Sequence, residues 1–304
     1  MSSARSCPVC GAGSLDATSF LEANIDVSRL DEFSYSSRKT PEYMNLELVQ
    51  CRRCDLVYAD SPPSQDDLAR AYHVADYDSA EEADDAASAY IRAMQPVLQA
   101  LTRRESVLEI GTGTGVLLEH LAHQGFTKLV GVEPSASAIA AAPTYRQNWI
   151  REGVFEEQNF APESFDLICC FMTMEHVIDP KVISLAAFRL LRPGGAFVTV
   201  THDYRGWLNR MLGRRSPIID IEHMQLFSGT SIQRLFEVSG YQNVRVERFV
   251  NRYAFRYWWR LAPAPGPVKR AVAKVAEATR VGGVRIRLNV GNSMASGVKP
   301  PSSP

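Results

Sequence analysis

The sequence has few of the features that mark membrane, fibrous or disulfide-stapled proteins. None of its 304 residues fall in an apolar run of 18 or more, so no membrane-spanning helix is expected. The opening Met-Ser-Ser-Ala-Arg-Ser-Cys-Pro has no apolar stretch, so no secretory signal is expected and the cytoplasm is the expected compartment. Neither charge sign is in excess: 33 Lys and Arg stand against 34 Asp and Glu, which excludes a uniformly basic nucleic-acid binder. Internal repeats are lacking. With 45% hydrophobic and 22% charged residues, the composition is that of a globular protein, neither disordered nor coiled-coil. The length accommodates one large domain and an accessory module.

The six cysteines are not placed as a disulfide framework. Cys7 and Cys10 form one C-x-x-C pair, and Cys51 and Cys54 form a second. Two such knuckles read as a four-thiolate tetrahedral zinc site, with a redox pair or two unrelated thiol pairs as the alternatives. Four thiolates leave no open coordination position, so the Zn2+ is expected to be structural. Gly11, directly after Cys10, suits the tight turn of a knuckle. The long insert between the pairs contains Ser37-Arg38-Lys39-Thr40-Pro41, read either as a flap over a ligand or as a solvated loop. Cys169 and Cys170 fall in the apolar run 165–171 and read as small buried hydrophobes.

A turn signal at Ser61-Pro62-Pro63-Ser64 closes this zinc-ribbon-like module, assigned to residues 1–62. Residues 63–104 read as a helical linker or cap, in two stretches interrupted near Tyr77-Asp78-Ser79. From Ser106 short apolar runs alternate with amphipathic helices. Strands are expected at 107–110, 129–132, 149–151, 165–171 and 196–201, and helices at 116–123, 135–142 and 180–191. That alternation implies βαβ units and a doubly wound, Rossmann-like α/β sheet over residues 105–298. A helical insertion is expected at 251–282, with 285–290 and 295–298 closing the sheet and a disordered tail at 299–304.

Glu109-Ile110-Gly111-Thr112-Gly113-Thr114-Gly115 joins the first expected strand to the first helix. Glycines there let the backbone turn and approach a ligand, and the helix start offers N–H groups. The dinucleotide fingerprint fails because Val116 occupies its third glycine position, and the P-loop fails because no Gly-Lys-Ser/Thr follows. Glu133 ends the next strand, where a carboxylate can accept from a ribose diol.

Beyond this loop, four more motifs fall in order: Gly131-Val132-Glu133-Pro134, Phe165-Asp166-Leu167-Ile168, Met174-Glu175-His176-Val177 and Leu191-Arg192-Pro193-Gly194-Gly195. Over residues 70–250 the chain resembles the class I S-adenosylmethionine-dependent methyltransferases. With its four-cysteine module it is similar to bacterial small-molecule methyltransferases, some of which methylate the carbon of nucleotide-linked sugars. The resemblance implies a seven-stranded sheet and S-adenosyl-L-methionine as cofactor. It implies that Gly111, Thr112, Gly113 and Gly115 line the methionine end, and that Glu109 serves the amine. Glu133 would hold the ribose hydroxyls, with Pro134 beside the adenine and Phe155 and Glu156 near its ring and amino group.

Methyl transfer to an oxygen, nitrogen or acidic carbon also needs a base, a role suited to histidine. His176, at the sheet's carboxyl edge, and His223, in Glu222-His223-Met224-Gln225, are the candidates, with Glu175 or Glu222 orienting. His202 is a third possibility. The expected acceptor is a small molecule, a sugar or a secondary metabolite. An RNA methyltransferase gripping nucleic acid through the zinc module, and a non-catalytic cofactor-binding protein, are the competing readings. The chain's near-neutrality hides an asymmetry, because from Arg252 onward there are ten Lys and Arg and one acidic residue, Glu277. Within that part, residues 252–260 interleave aromatics with arginines. This suits a peripheral membrane surface, a lipid-linked acceptor or stacked bases, or else an amphipathic helix packed on the core.

Overall fold

A computed structural model describes residues 5–30, 34–35, 42–75, 80–262 and 264–301. The insert residues Ser37–Pro41, the interruption at Tyr77-Asp78-Ser79 and the last three residues lie outside the described residues. In the N-terminal module β1 is Ala17–Leu21, β2 Leu48–Cys51 and β3 Val57–Ala59. Two helices follow, α1 (Gln65–Val74) and α2 (Ala80–Ala100). The α/β body begins with β4 (Ser106–Ile110), α3 (Val116–Ala122), β5 (Lys128–Glu133), α4 (Ala136–Ala141), α5 (Thr144–Gln147) and β6 (Ile150–Glu152). It continues through β7 (Phe165–Phe171), α6 (Pro180–Leu190), β8 (Leu191–His202), α7 (Trp207–Leu212), β9 (Gln225–Leu226), α8 (Gly229–Val238) and β10 (Gln242–Arg248). The chain finishes with β11 (Asn251–Ala254), α9 (Phe255–Leu261), α10 (Gly266–Ala278), β12 (Arg285–Leu288) and β13 (Asn292–Val298).

The central sheet has seven strands in the order β10-β13-β8-β7-β4-β5-β6. β4 to β8 are parallel, and β13 runs antiparallel between β8 and β10. Every residue of β7 is buried, which is why its sequence is a nearly unbroken apolar run rather than an alternation. On one face Tyr90, Met94 and Leu98 of α2 pack with Leu117, Leu118 and Leu121 of α3. On the other, Leu190 of α6 meets Ile232, Leu235 and Phe236 of α8. The start of α6 is fixed by Asp179, whose carboxylate accepts the N–H groups of Lys181 and Val182, with Pro180 in the first turn. Asp166 is buried and accepts from the N–H groups of Glu105 and Ser106 and from the Arg192 guanidinium, each bond 2.8–2.9 Å long. Two of the family-like motifs, Phe165-Asp166 and Leu191-Arg192, thus lock the amino ends of three strands together, away from the carboxyl edge.

The C-terminal part departs from the sequence reading in two respects. Arg285–Leu288 pairs with Asn251–Ala254 in a separate two-stranded ribbon, so the segment expected to be a helical insertion opens as a strand. Of the two segments expected to close the large sheet, β13 alone joins it. The chain is also ordered further than expected, since Lys299 exchanges backbone hydrogen bonds with Gly194 and Gly195 and sets its ammonium against Glu163. A charged side chain that caps a strand end is not distinguished by composition from a solvated tail.

The N-terminal module does not stand apart. Its sheet has the order β1-β2-β3-β9, and the last strand, β9, comes from the α/β body, with Val57 opposite Leu226 and Tyr58 opposite Gln225. The two Cys knuckles are built alike. Cys7 N–H bonds Ala12 O and Gly11 N–H bonds Cys7 O, while Cys51 N–H bonds Leu56 O and Asp55 N–H bonds Cys51 O. Gly11 and Asp55 fill equivalent left-handed positions, at φ 73° and 66°.

Candidate active site

β4 and β7 are neighbours, but the chain leaves them toward opposite edges of the sheet. Such a switch point opens a crevice at the strands' carboxyl ends. A cavity of about 860 Å³ lies there, lined by the glycine loop after β4, the end of β5, the turn after β7 and the segments around His223 and Tyr253.

At one end stands the glycine loop. Gly111 has φ 75°, and a Cβ there would run into the Thr173 side chain; at Gly113, φ 55°, the space above the backbone is open. Glu133 is buried and doubly anchored: Oε2 accepts the Gly113 N–H at 2.7 Å and Oε1 the Ser135 N–H at 2.9 Å. Each oxygen keeps a second lone pair, so the carboxylate is held in one orientation yet can still accept from a diol. Burial raises its pKa, against the pull of those two N–H groups. Glu109 is also buried, and its Oε2 accepts from the Thr112 hydroxyl at 2.5 Å. Burial pushes its carboxyl up to about 8, the Thr112 bond opposing and Glu133 adding to the rise. The donor set fits S-adenosylmethionine: a buried acid suits an ammonium, an oriented carboxylate suits ribose hydroxyls, and the glycine backbone leaves room. Pro134, Phe155 and Glu156 line the same end; Phe155 stacks on Phe160, while Glu156 is exposed and accepts from Asn159. Gly115 has φ 70° and caps α3.

At the other end the structure brings together His176, Glu222 and His223, whose nearest nitrogen and oxygen atoms all lie within 4.8 Å of one another. His176 Nδ1 is 3.6 Å from Glu222 Oε2. The two imidazole rings are 4.8 Å apart. His223 Nδ1 donates to the carbonyl of Ile218 at 2.8 Å, which leaves Nε2 as its basic nitrogen. Tyr72, on α1, is 2.9 Å from His176 Nδ1 through its hydroxyl. His202 adjoins this group, with its ring 5.8 Å from that of His223. Its Nδ1 bonds Asn292 Oδ1 at 2.9 Å, and burial, then His223, lowers its pKa to about 3. Glu175 stands apart. Its Oε1 accepts the backbone N–H of His202 at 2.7 Å, propping the end of β8, while Oε2 has no partner among the described residues.

Residues outside the sequence motifs complete the cavity. Gln65, Leu68, Ala69 and Tyr72 line it from α1, and Ala83, Ala87 and Tyr90 from α2. These spacings of three, four and seven residues each mark one helical face. Asn251, Tyr253, Tyr257, Trp258 and Leu261 form the far wall, so much of the aromatic segment at 252–260 faces inward. Trp258 Nε1 donates to Ile286 O and Trp259 Nε1 to Lys269 O, which binds α9 to its neighbours.

The four knuckle cysteines form a separate cluster. Their sulfurs lie within 4.8 Å of one another, with Cys7–Cys54 at 3.5 Å and Cys10–Cys51 at 3.6 Å. Zn–S bonds of about 2.3 Å require S–S edges of about 3.8 Å in a tetrahedron, so the arrangement fits a thiolate-bound ion. The Cys54 thiol, followed by local backbone N–H groups, lowers the Cys7 pKa despite burial.

The methyltransferase domain family profile matches residues 80–246, more than half of the chain. The chain belongs to this family, and its sheet has the class I strand order. Ubiquinone biosynthesis O-methyltransferase of Klebsiella pneumoniae is 30% identical over 117 residues, 36% of this chain and 48% of that protein. The Pseudomonas fluorescens protein of the same name is 32% identical over 121 residues, 36% of this chain and 50% of that protein. The chain thus spans about half the length of these relatives. A SAM-dependent methyltransferase structure from Thermotoga maritima aligns with a TM-score of 0.48 at 20% identity, covering 71% of this chain and 90% of that one. One from Archaeoglobus fulgidus aligns at 0.48 and 14%, covering 70% and 94%.

Proposed function

We propose that the protein transfers a methyl group from S-adenosylmethionine to a small-molecule acceptor. The observation that carries this reading is the shared cavity with Glu109, Gly113 and Glu133 at one end and the His176–Glu222–His223 group at the other. The sulfonium of the cofactor supplies an electrophilic methyl for in-line displacement, so holding the acceptor against it accounts for much of the rate. Glu133 holds the ribose diol and Glu109 the ammonium. His223, oriented by the Ile218 carbonyl, takes the acceptor proton on Nε2. His176, set by Tyr72 and Glu222, lies beside it and bears part of the positive charge that develops. A buried carboxylate next to two imidazoles makes that protonation easier.

The same reading assigns a structural zinc ion to Cys7, Cys10, Cys51 and Cys54. Its role is to hold β2 and β3 against β9, and so to fix the segment that carries Glu222 and His223.

Calorimetric titration with S-adenosylmethionine tests the cofactor half. Wild type binds, and Glu133→Ala loses at least tenfold in affinity; equal affinity removes the ribose assignment. Formation of S-adenosylhomocysteine with labelled cofactor and metabolite fractions tests the reaction. Unchanged turnover when both His176 and His223 are alanine removes the base.

A further inference from the structure

A second cavity, of about 380 Å³, lies at the seam between the N-terminal module and the α/β body. That volume is in the range of small-ligand sites. Phe20 and Leu21 of β1 form its apolar lining with Tyr204, Ile218, Ile219 and Leu226 of the body, so neither part makes the site alone. The Phe20 and Tyr204 rings meet edge to face, with centroids 5.6 Å apart. Asn209 and Ile218 line both this cavity and the catalytic one, so the two share a wall.

The charged part of this lining is cationic. Among the described residues it holds Arg205, Arg210 and Arg214 and no acidic residue. Arg205 is already engaged, since its guanidinium lies over the Tyr204 ring and pairs with Asp55. Gln50 is engaged too: its Nε2 donates to Asp55 Oδ1 at 2.7 Å and to the Tyr204 hydroxyl at 3.0 Å. Arg210 and Arg214 are exposed, and neither has an ion-pair or side-chain hydrogen-bond partner among the described residues. The segment that carries them is tied down on both sides. Asn209 Nδ2 donates to Asp203 O at 2.8 Å, and Asn209 Oδ1 accepts from the Ser216 hydroxyl at 2.9 Å. Two unpaired guanidinium groups on one apolar cleft suit a doubly charged anion, which accepts from both.

We propose that this cleft is a second ligand site, which takes a phosphate monoester on an apolar body. Arg210 and Arg214 receive the phosphate, and the side lined by Phe20 and Tyr204 receives the body. This chemistry has two sources, a soluble phosphate ester and the phosphomonoester headgroup of a lipid. The lipid source is considered because Trp207 and Met211, on α7 beside the arginines, are 72% and 64% exposed. The site is separate from the methyl-transfer reading, since its arginines are not among the residues assigned to cofactor or base.

The test is calorimetric titration of the full chain with 2-naphthyl phosphate, 2-naphthol and inorganic phosphate. The ester should bind at least about tenfold tighter than either of its halves. The double variant Arg210→Gln with Arg214→Gln changes two exposed side chains. It should lose at least about tenfold in affinity for the ester and keep its far-UV circular dichroism and Tm. An ester that binds no tighter than 2-naphthol overturns the proposal. So does equal affinity in the wild type and the double variant, which would put the probe in the catalytic cavity instead. Co-sedimentation with phosphatidylcholine vesicles, with and without phosphatidic acid, separates the two sources. Sedimentation that needs phosphatidic acid and is lost in the double variant assigns the site to a lipid headgroup. Ester binding without such sedimentation assigns it to a soluble ester.

Discussion

Asp55 holds Arg205 through both carboxylate oxygens, joining the second Cys knuckle to the loop after β8. The same carboxylate accepts from the Tyr204 hydroxyl at 2.8 Å and from Gln50 at 2.7 Å. Burial alone would raise its pKa, but Arg205, then Ser228, Tyr204 and Gln50, keep it below the usual range. The turn itself calls for glycine, as Gly11 shows in the first knuckle, yet the second uses an aspartate at φ 66°. Aspartate tolerates that conformation better than most side chains, and here it adds the docking contact. Asp55→Gly should therefore keep the knuckle and its metal content but lose the dock. Arg205 is half exposed, so the loss should be small, about 1 kcal/mol or a Tm fall of about 2–4 °C. Equal Tm for the two proteins would show that the contact contributes nothing to stability.

Because β3 pairs with β9, the state of the knuckles should reach the acceptor end and spare the cofactor end. Ala59 N–H bonds Met224 O at 2.8 Å, and Met224 N–H bonds Glu175 O at 2.8 Å, a short path from the module to the Glu222-His223 turn. Removing zinc with a strong chelator, or substituting Cys51→Ser, should lower turnover at least tenfold. Affinity for S-adenosylmethionine should change by less than threefold. Metal analysis, calorimetry and a turnover assay on one preparation check this, and parallel loss of both activities would show general unfolding instead.

Glu109 gives a proton-linked signature for cofactor binding. Its carboxyl, raised to about 8 by burial, is largely protonated at neutral pH before the cofactor enters. An ammonium beside it favours the carboxylate and lowers that pKa. Binding between about pH 5 and 8 should therefore release up to one proton, and well above 8 none. Calorimetry in buffers of different ionisation enthalpy measures the number directly. Glu109→Gln should abolish the release, and proton uptake in the wild type would contradict the ammonium assignment.

The parts of this molecule that can be read from sequence are those whose signal is local. The central strands, the glycine loop and Glu133 follow from periodicity and from residues adjacent in the chain. The knuckle cysteines are visible through their spacing. Tyr72 escapes a sequence reading because it lies on a helix that reads only as a linker, although Gln65, Leu68, Ala69 and Tyr72 do trace one face at helical spacing. Asn251 leaves no signal at all, since its burial depends on a ribbon closed by Arg285–Leu288, more than thirty residues away. The choice of Glu222 over Glu175 as partner of His176 has the same origin. Both are adjacent to a histidine in sequence, and only the tertiary path of the β9 segment separates them.

Glu175 should make the fold lose stability as the pH rises from about 4.5 to 7. It is fully buried, and burial lifts its carboxyl to about 7, opposed by the N–H of His202 and by its own backbone N–H. The native state thus holds this proton more tightly than the unfolded chain, where the carboxyl titrates near its ordinary 4.5. Below that pH both states are protonated and the contribution to stability is complete. Between about 4.5 and 7 the unfolded chain ionises first and stability falls; above 7 the full cost of the buried charge, about 3 kcal/mol, is reached. Glu175→Gln keeps an oxygen for the His202 N–H and removes the titration. Urea unfolding of the two proteins at pH 5 and pH 8 should then show the variant gaining on the wild type by about 2–3 kcal/mol between the two pH values. A difference independent of pH would mean that Glu175 is ionised in the fold throughout, with a counter-charge that its unpartnered Oε2 does not reveal.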